Sequence, residues 1–310
     1  MRTRAHALAS DALVEEVARA ELAASKSAVA AVVAGYLFAA GTKAGVLLAP
    51  LTLLVAGVGA GGRAFDGRLR QPGLGAKRPR GLLPEQREPP ATKLALPTTI
   101  AALSVALAYD GARTLTPLAK IGARAAKESG ARARAALLER VSAVGPGALT
   151  EARFVQPLLH VAGAAEGGLL AQGDFVPPSD VSAEAELRAH KNGPLLEAPW
   201  ADDAPLESSS GHALCAVDAR GVFAALCYRE LTSGMDVSEL ELMAALAAIP
   251  VRRGEQRVRP GTRLPSPAPA AIRCDAALAP LEVCVRREPS SRKTFGIARS
   301  EGRWVEPRDG

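Results

Sequence analysis

The residues best able to do chemistry in this chain are a serine run beside a histidine, four cysteines and a glycine-rich hexapeptide. Ser208-Ser209-Ser210-Gly211-His212 sets hydroxyls next to an imidazole, the pairing acyl transfer uses when a histidine takes the proton of an attacking oxygen. None of His6, His160, His190 and His212 stands in an elbow of the GxSxG kind, so His212 taken alone reads as a loop histidine. Cys215, Cys227, Cys274 and Cys284 form no CxxC and have no histidine pair nearby, which argues against structural zinc and reads as buried apolar thiols. Gly57-Val58-Gly59-Ala60-Gly61-Gly62 satisfies GxGxxG, but a dinucleotide site needs a helix to open at the last glycine. The next residues, RAFDGRLRQPGLG, have no helical period and hold Pro72, so the hexapeptide reads as a tight turn. These readings imply no cofactor and no metal.

The elements that must position such residues divide into a helical first half and a strand-rich second half. Ser10-Asp11 is an N-cap pair for a helix over residues 10–41 that is amphipathic at first and then apolar all round, so its second half must be buried. Ser27–Gly41 and Ala44–Gly62 hold no charge, with Lys43 between them and Pro50 inside the second. A bilayer span needs about 20 apolar residues, so a membrane hairpin is one reading. The Gly/Ala content and the run LTLLVAGVG favour a buried helix feeding a buried strand. Residues 71–97, with six prolines, and residues 176–207 read as irregular connections, and Thr98–Gly145 is periodic as helix beside an arginine-rich face. HALCAVDARGVFAALCYREL reads as a hairpin about Asp218-Ala219-Arg220-Gly221, with Cys215 and Cys227 at its opposite ends and placed to face each other across it, followed by a short helix at Val237–Ala248. Strands are expected near Leu281–Val285 and Phe295–Ala298, giving an α+β class.

Composition bounds the partners. With 48% hydrophobic residues and only 4% aromatic, the 310-residue chain builds its core from Ala, Val and Leu and lacks a stacking platform for nucleic acid. The net charge of +6 comes without any run of five like charges, which also disfavours a nucleic-acid partner. The first seventeen residues lack the apolar core of a secretory signal, so a cytoplasmic chain is expected.

ESSSGHALCAVDARG, residues 207–221, resembles the junction of the γ-glutamyltransferase family, in which ES, two variable residues, TTH, a variable residue, SVVD and G precede the same hairpin. Five further blocks follow the family's order. SKSAVAAVVAG (25–35) is similar to GGNAVDAAVAA, GVGAGG (57–62) to GIGGGG and DGRLRQP (66–72) to DFRETAP. EGGLLAQGDF (166–175) is similar to GGLLTxxDL, and RPGTRLPSPAPAAI (259–272) to PGKRPLSSMSPTIV.

The resemblance implies an N-terminal nucleophile (Ntn) hydrolase with a four-layer αββα core, residues 1–210 forming the large-subunit-like part and 211–310 the small one. In that family a precursor cuts itself before a Thr, whose hydroxyl attacks a γ-glutamyl amide with its own α-amine as base. Arg68 takes the carboxylate-binding arginine place, with a structural salt bridge to Asp66 as the alternative, and Ser266 keeps one of two ligand-binding serine places while Pro265 fills the other. Gly211 stands where the nucleophilic Thr belongs, His212 replaces the second Thr, Ala213 the His and Ala30 the helix Asp, and no glycine pair follows Ile272. The expectation is therefore an unprocessed, noncatalytic relative that binds a γ-glutamyl or other small carboxylate. Two alternatives stand beside it: an active amidase or transferase using Ser210, Ser209 or Cys215, and a membrane-associated or structural protein.

Overall fold

The computed structural model describes residues 5–59, 61–77, 79, 81–189, 193–201, 209–265 and 270–275, with 280–286, 294–300 and 303–305 described as backbone strands. In chain order the elements are β1 (His6–Ala9), α1 (Ala12–Ser25), α2 (Ala28–Thr42), β2 (Leu51–Ala56), β3 (Gly62–Gly67), β4 (Leu69–Arg70), β5 (Leu94–Pro97), α3 (Thr99–Asp110), α4 (Leu115–Glu128), α5 (Arg132–Val144) and α6 (Ala152–Ala162). They continue with β6 (Ser182–Glu184), β7 (Glu186–Arg188), β8 (Leu195–Glu197), β9 (Ser209–Val217), β10 (Phe223–Leu231), β11 (Met235–Val237), β12 (Leu242–Leu246), β13 (Ala270–Cys274), β14 (Pro280–Arg286), β15 (Thr294–Ser300) and β16 (Arg303–Val305).

The expected single helix over 10–41 is two. Asp11 caps α1 by accepting the amides of Leu13 and Val14, Lys26 turns left-handed at φ 59°, and Ser27 restarts the helix by accepting the amide of Ala30. Apart from half-buried Phe38, every residue from Ala28 to Gly41 is buried, as the all-round apolar run requires. No helix among the described residues is long and apolar enough to cross a membrane.

Two six-stranded antiparallel sheets, ordered β1-β9-β10-β2-β3-β6 and β16-β15-β14-β13-β8-β7, and a small sheet, β11-β12-β5-β4, form the strand layers. Alternation along β9 and β10 sends Leu214, Ala216, Leu226 and Tyr228 into the large core beneath the helices, and Ala213, Cys215, Ala225 and Cys227 into a smaller core that also holds Ile272 and Trp200 of the second sheet's side. All six helices bury apolar residues in the large core, so the described residues show helix, sheet and sheet, and no fourth, helical layer is seen among them. The α+β class holds.

Several local expectations change. Val237–Ala248 is not a helix: one 3-10 turn at Ser238–Leu240 leads through Glu241, at φ 52°, into β12, which pairs with β11 and β5. The irregular segments hold short strands, β5 in the first and β6 to β8 in the second. The glycine hexapeptide is the β2–β3 hairpin turn, with Gly57, Gly59 and Gly61 at positive φ. Cys215 pairs in register with Ala225 and Cys227 with Ala213, so the two thiols lie diagonally rather than opposite one another.

Candidate functional site

Ser210 and Gly211 stand at the end of the first sheet where β9 begins. There β9 runs unbroken through Ser210 and Gly211, and Gly211 pairs in register with Arg229. The Arg229 amide donates to the Pro50 carbonyl at 3.1 Å, and Leu51 pairs with Gly67. Gly211, Arg229, Pro50 and Arg68 therefore occupy one row across four neighbouring segments.

On the inter-sheet face of this row the side chains are cationic and deeply placed. A Cβ built on Gly211 would stand 3.0 Å from Nη1 of Arg229, a residue only 1% exposed. Arg68 is buried too, and its fork closes on Asp66, Nε to Oδ1 at 3.0 Å and Nη2 to Oδ2 at 3.1 Å. Its Cζ lies 4.4 Å from the Trp200 ring centroid, and the Trp200 indole donates to Thr52 Oγ1 at 2.9 Å. Asp66 also accepts the Nε of Arg263, whose Nη2 reaches Asp180 Oδ2 at 2.9 Å. The ion pair with Asp66 and the place in the row are thus both properties of Arg68, while Ser266 lies outside the described residues.

The helix-facing side of the same strand ends carries a different set. Nε2 of His212 lies 2.9 Å from Glu230 Oε2, its Nδ1 lies 3.5 Å from Ser10 Oγ, and its ring stacks on Tyr228 at 5.1 Å between centroids. Lys43 Nζ joins Glu230 at 2.8 Å and Asp11 at 3.7 Å. Burial, and next to it the Lys43 charge, hold the His212 pKa below its ordinary value. Burial pushes the Tyr228 phenol up, with the Asp11 and Glu230 charges adding to the effect. His212 is a strand residue, not a loop one.

The alternative nucleophiles fare differently. Ser210 Oγ reaches the Glu230 carbonyl at 3.5 Å on the helix-facing side, Ser209 is described by its backbone alone, and Cys215 is fully buried between the sheets. Burial raises the thiol pKa of Cys227, away from reactive thiolate. Sequence reasoning missed Arg229 and Trp200. The signal for Arg229 was its parity: in the strand AALCYRE it shares the face of Ala225 and Cys227, which marks a charge aimed between two sheets.

No protein-family model matches the sequence, and no curated protein matches it either. Solved structures do. LmbA2991T421A superposes with a TM-score of 0.63 at 14% identity, covering 92% of this chain and 79% of that one, and LmbA2991HD with 0.62 at 14%, covering 91% and 78%. The cephalosporin acylase from Bacillus halodurans superposes with 0.59 at 11% identity, covering 96% and 77%. At such identities the likeness is one of fold alone, shared over nine-tenths or more of this chain.

Proposed function

We propose that the chain is an unprocessed, noncatalytic protein of Ntn-hydrolase shape that binds a small carboxylate of the γ-glutamyl class at the inter-sheet end of the Gly211–Arg68 row. One observation supports this above the rest: Arg229 lies against the place where a side chain on residue 211 would begin. Amide cleavage by the family's route needs a side-chain oxygen at that position and an α-amine freed by self-cleavage. Gly211 offers no oxygen, and a guanidinium fills the space. The same substitution that removes nucleophilic chemistry leaves two buried arginines, Arg229 and Arg68, on one face, and with Asp66 orienting the Arg68 fork the two positive charges favour an incoming carboxylate.

The test combines mass and calorimetry on the full chain. Wild type and Gly211→Thr are both expected to remain single chains, the wild type at 32.0 kDa, without turnover of a γ-glutamyl anilide. Glutamate or glutathione should release binding heat with wild type, and Arg68→Lys, which keeps the charge but loses the guanidinium that Asp66 holds in place, should weaken binding about tenfold, the effect of roughly one charge-assisted hydrogen bond. Fragments meeting at residue 211, or absence of binding heat with both ligands, would overturn the reading.

A further inference from the structure

On the helix-facing side of the first sheet, Ser10, His212 and Glu230 form a chain of hydroxyl, imidazole and carboxylate that the inter-sheet site does not use. Ser10 directly follows β1. Its amide donates to the Ala213 carbonyl at 3.0 Å, and its Oγ accepts the Ala213 amide at 3.1 Å, so the side chain is held against β9. His212, one residue earlier in β9, places Nδ1 3.5 Å from that Oγ and Nε2 2.9 Å from Oε2 of Glu230 in β10. With the Nε2 proton on the carboxylate side, Nδ1 keeps its lone pair for the hydroxyl. This is the order of an activated nucleophile, a hydroxyl beside a base that a carboxylate orients, and such contacts shorten when the reacting group is bound.

Two further features suit acyl chemistry. Lys43 Nζ lies 2.8 Å from Glu230 and 3.7 Å from Asp11, and Tyr228 stacks on the imidazole. Burial, and next to it the Lys43 charge, keep the His212 pKa below 6.5, so the ring is a neutral base at pH 7. Asp11 Oδ1 takes the amides of Leu13 and Val14, whereas the amides of Asp11 and Ala12, the two residues after Ser10, enter no hydrogen bond among the described residues. They open the fourteen-residue α1, where backbone donors favour the negative oxygen of a tetrahedral intermediate. Ser10 and His212 are both partly exposed, so a small acyl group reaches them from solvent.

We propose that Ser10 is an acylation site that takes the acyl group of a small activated ester or thioester. Ser10 Oγ bonds to the carbonyl carbon, the bond from that carbon to the leaving oxygen or sulfur breaks, and the Ser10 proton passes by way of His212 Nδ1 to the leaving group. Glu230 holds the ring and offsets its transient charge. An imidazole of lowered pKa is a weak base, which confines the reaction to leaving groups that depart readily. One transfer to the protein suffices, so this site is independent of the inter-sheet one, where Gly211 supplies no nucleophile.

The experiment treats the full chain with p-nitrophenyl acetate and, separately, with phenylmethylsulfonyl fluoride, which sulfonylates activated serine hydroxyls, and locates the adducts by mass and peptide mapping. A sulfonyl group and an acetyl group are each expected on Ser10. His212→Gln should slow labelling of Ser10 about 100-fold, the share of a general base, with the circular dichroism of wild type. Ser10→Ala should lose the sulfonyl adduct, and if that variant does not fold, the mapped wild-type adduct and the His212 variant decide alone. The rate of labelling is expected to level off once His212 is neutral, whereas an unassisted hydroxyl reacts faster with every rise in hydroxide. No adduct on Ser10, labelling unchanged in His212→Gln, or a rate that climbs through the alkaline range without a plateau would overturn the proposal.

Discussion

At the scale of single residues, His212 is the group whose surroundings make the clearest statement about pH. It is stacked on Tyr228, sits beside the Glu230 carboxylate, and faces Ser10, with Lys43 and Asp11 completing the set around it. Desolvation wins over the Glu230 attraction, so the folded pKa lies below the ordinary 6.5. The unfolded chain then binds more protons than the folded one below that value, and stability must fall as pH drops from about 6.5 through the folded pKa. His212→Gln keeps a polar side chain and removes the titration. Urea midpoints measured at pH 7.5 and 5.5 are expected to drop less in that variant than in wild type, and an equal drop would place the pH sensitivity elsewhere. Much at this scale was legible in the sequence, and the reason is chemical. A missing hydroxyl at Gly211 is visible in one letter. The arginine that fills its space was harder to see, because Arg229 reaches Gly211 through strand pairing 18 positions away in the chain.

At the scale of elements, α2 crosses α4 so closely that backbone meets backbone. A Cβ on Gly41 would lie 2.2 Å from the Gly122 carbonyl oxygen, and one on Gly122 would lie 2.5 Å from that of Leu37. Helix propensity alone says that Gly122→Ala should stabilise by about 0.5–1 kcal/mol. The clash decides otherwise, since neither backbone can move without lifting one helix from the other, and overpacking of this kind costs about 1–3 kcal/mol. Gly122→Ala is therefore expected to lower the urea midpoint, and an unchanged or higher midpoint would show that the helices separate freely. Elements were legible where one local pattern settled them: the apolar run of α2, the glycine turn after β2, and the β9–β10 hairpin. They were misread where partners decide. VSELELMAALAA favours helix by composition, yet Leu242, Ala244 and Ala245 are buried in a strand bound to β5 and β11, elements the local sequence cannot show.

At the scale of the whole molecule, the helical layer and the first sheet are fastened at one buried carboxylate, Asp218, in the turn between β9 and β10. Its Oδ1 accepts the amides of Arg220 and Val222 at 2.9 and 3.1 Å, closing the turn. Its Oδ2 accepts the amide of Ala28, the first residue of α2, at 3.3 Å, and Nη2 of Arg220 at 2.8 Å. Arg220 goes on to Asp110 Oδ1 at 2.7 Å, and Asp110 Oδ2 accepts the Ser27 hydroxyl at 2.6 Å. Turn, α2 start and α3 end are thus one network, whose partners lie as far as 190 positions apart in the chain. The turn was readable from Asp218-Ala219-Arg220-Gly221, but its hold on the helices was not. Asp218→Asn preserves shape but places an amide NH₂ where one oxygen accepted, so at least one buried N–H loses its acceptor, at about 1–3 kcal/mol. The Arg220 side chain is 47% exposed, so its ion pairs are screened and Arg220→Gln should cost under about 1 kcal/mol. Urea denaturation of the two variants separates the contributions: the asparagine variant is expected to lose clearly more than the glutamine one, because the amides of the turn and of α2 depend on the carboxylate and not on the arginine. Equal losses would mean that the ion pair, rather than the clamp on the backbone, joins the two layers.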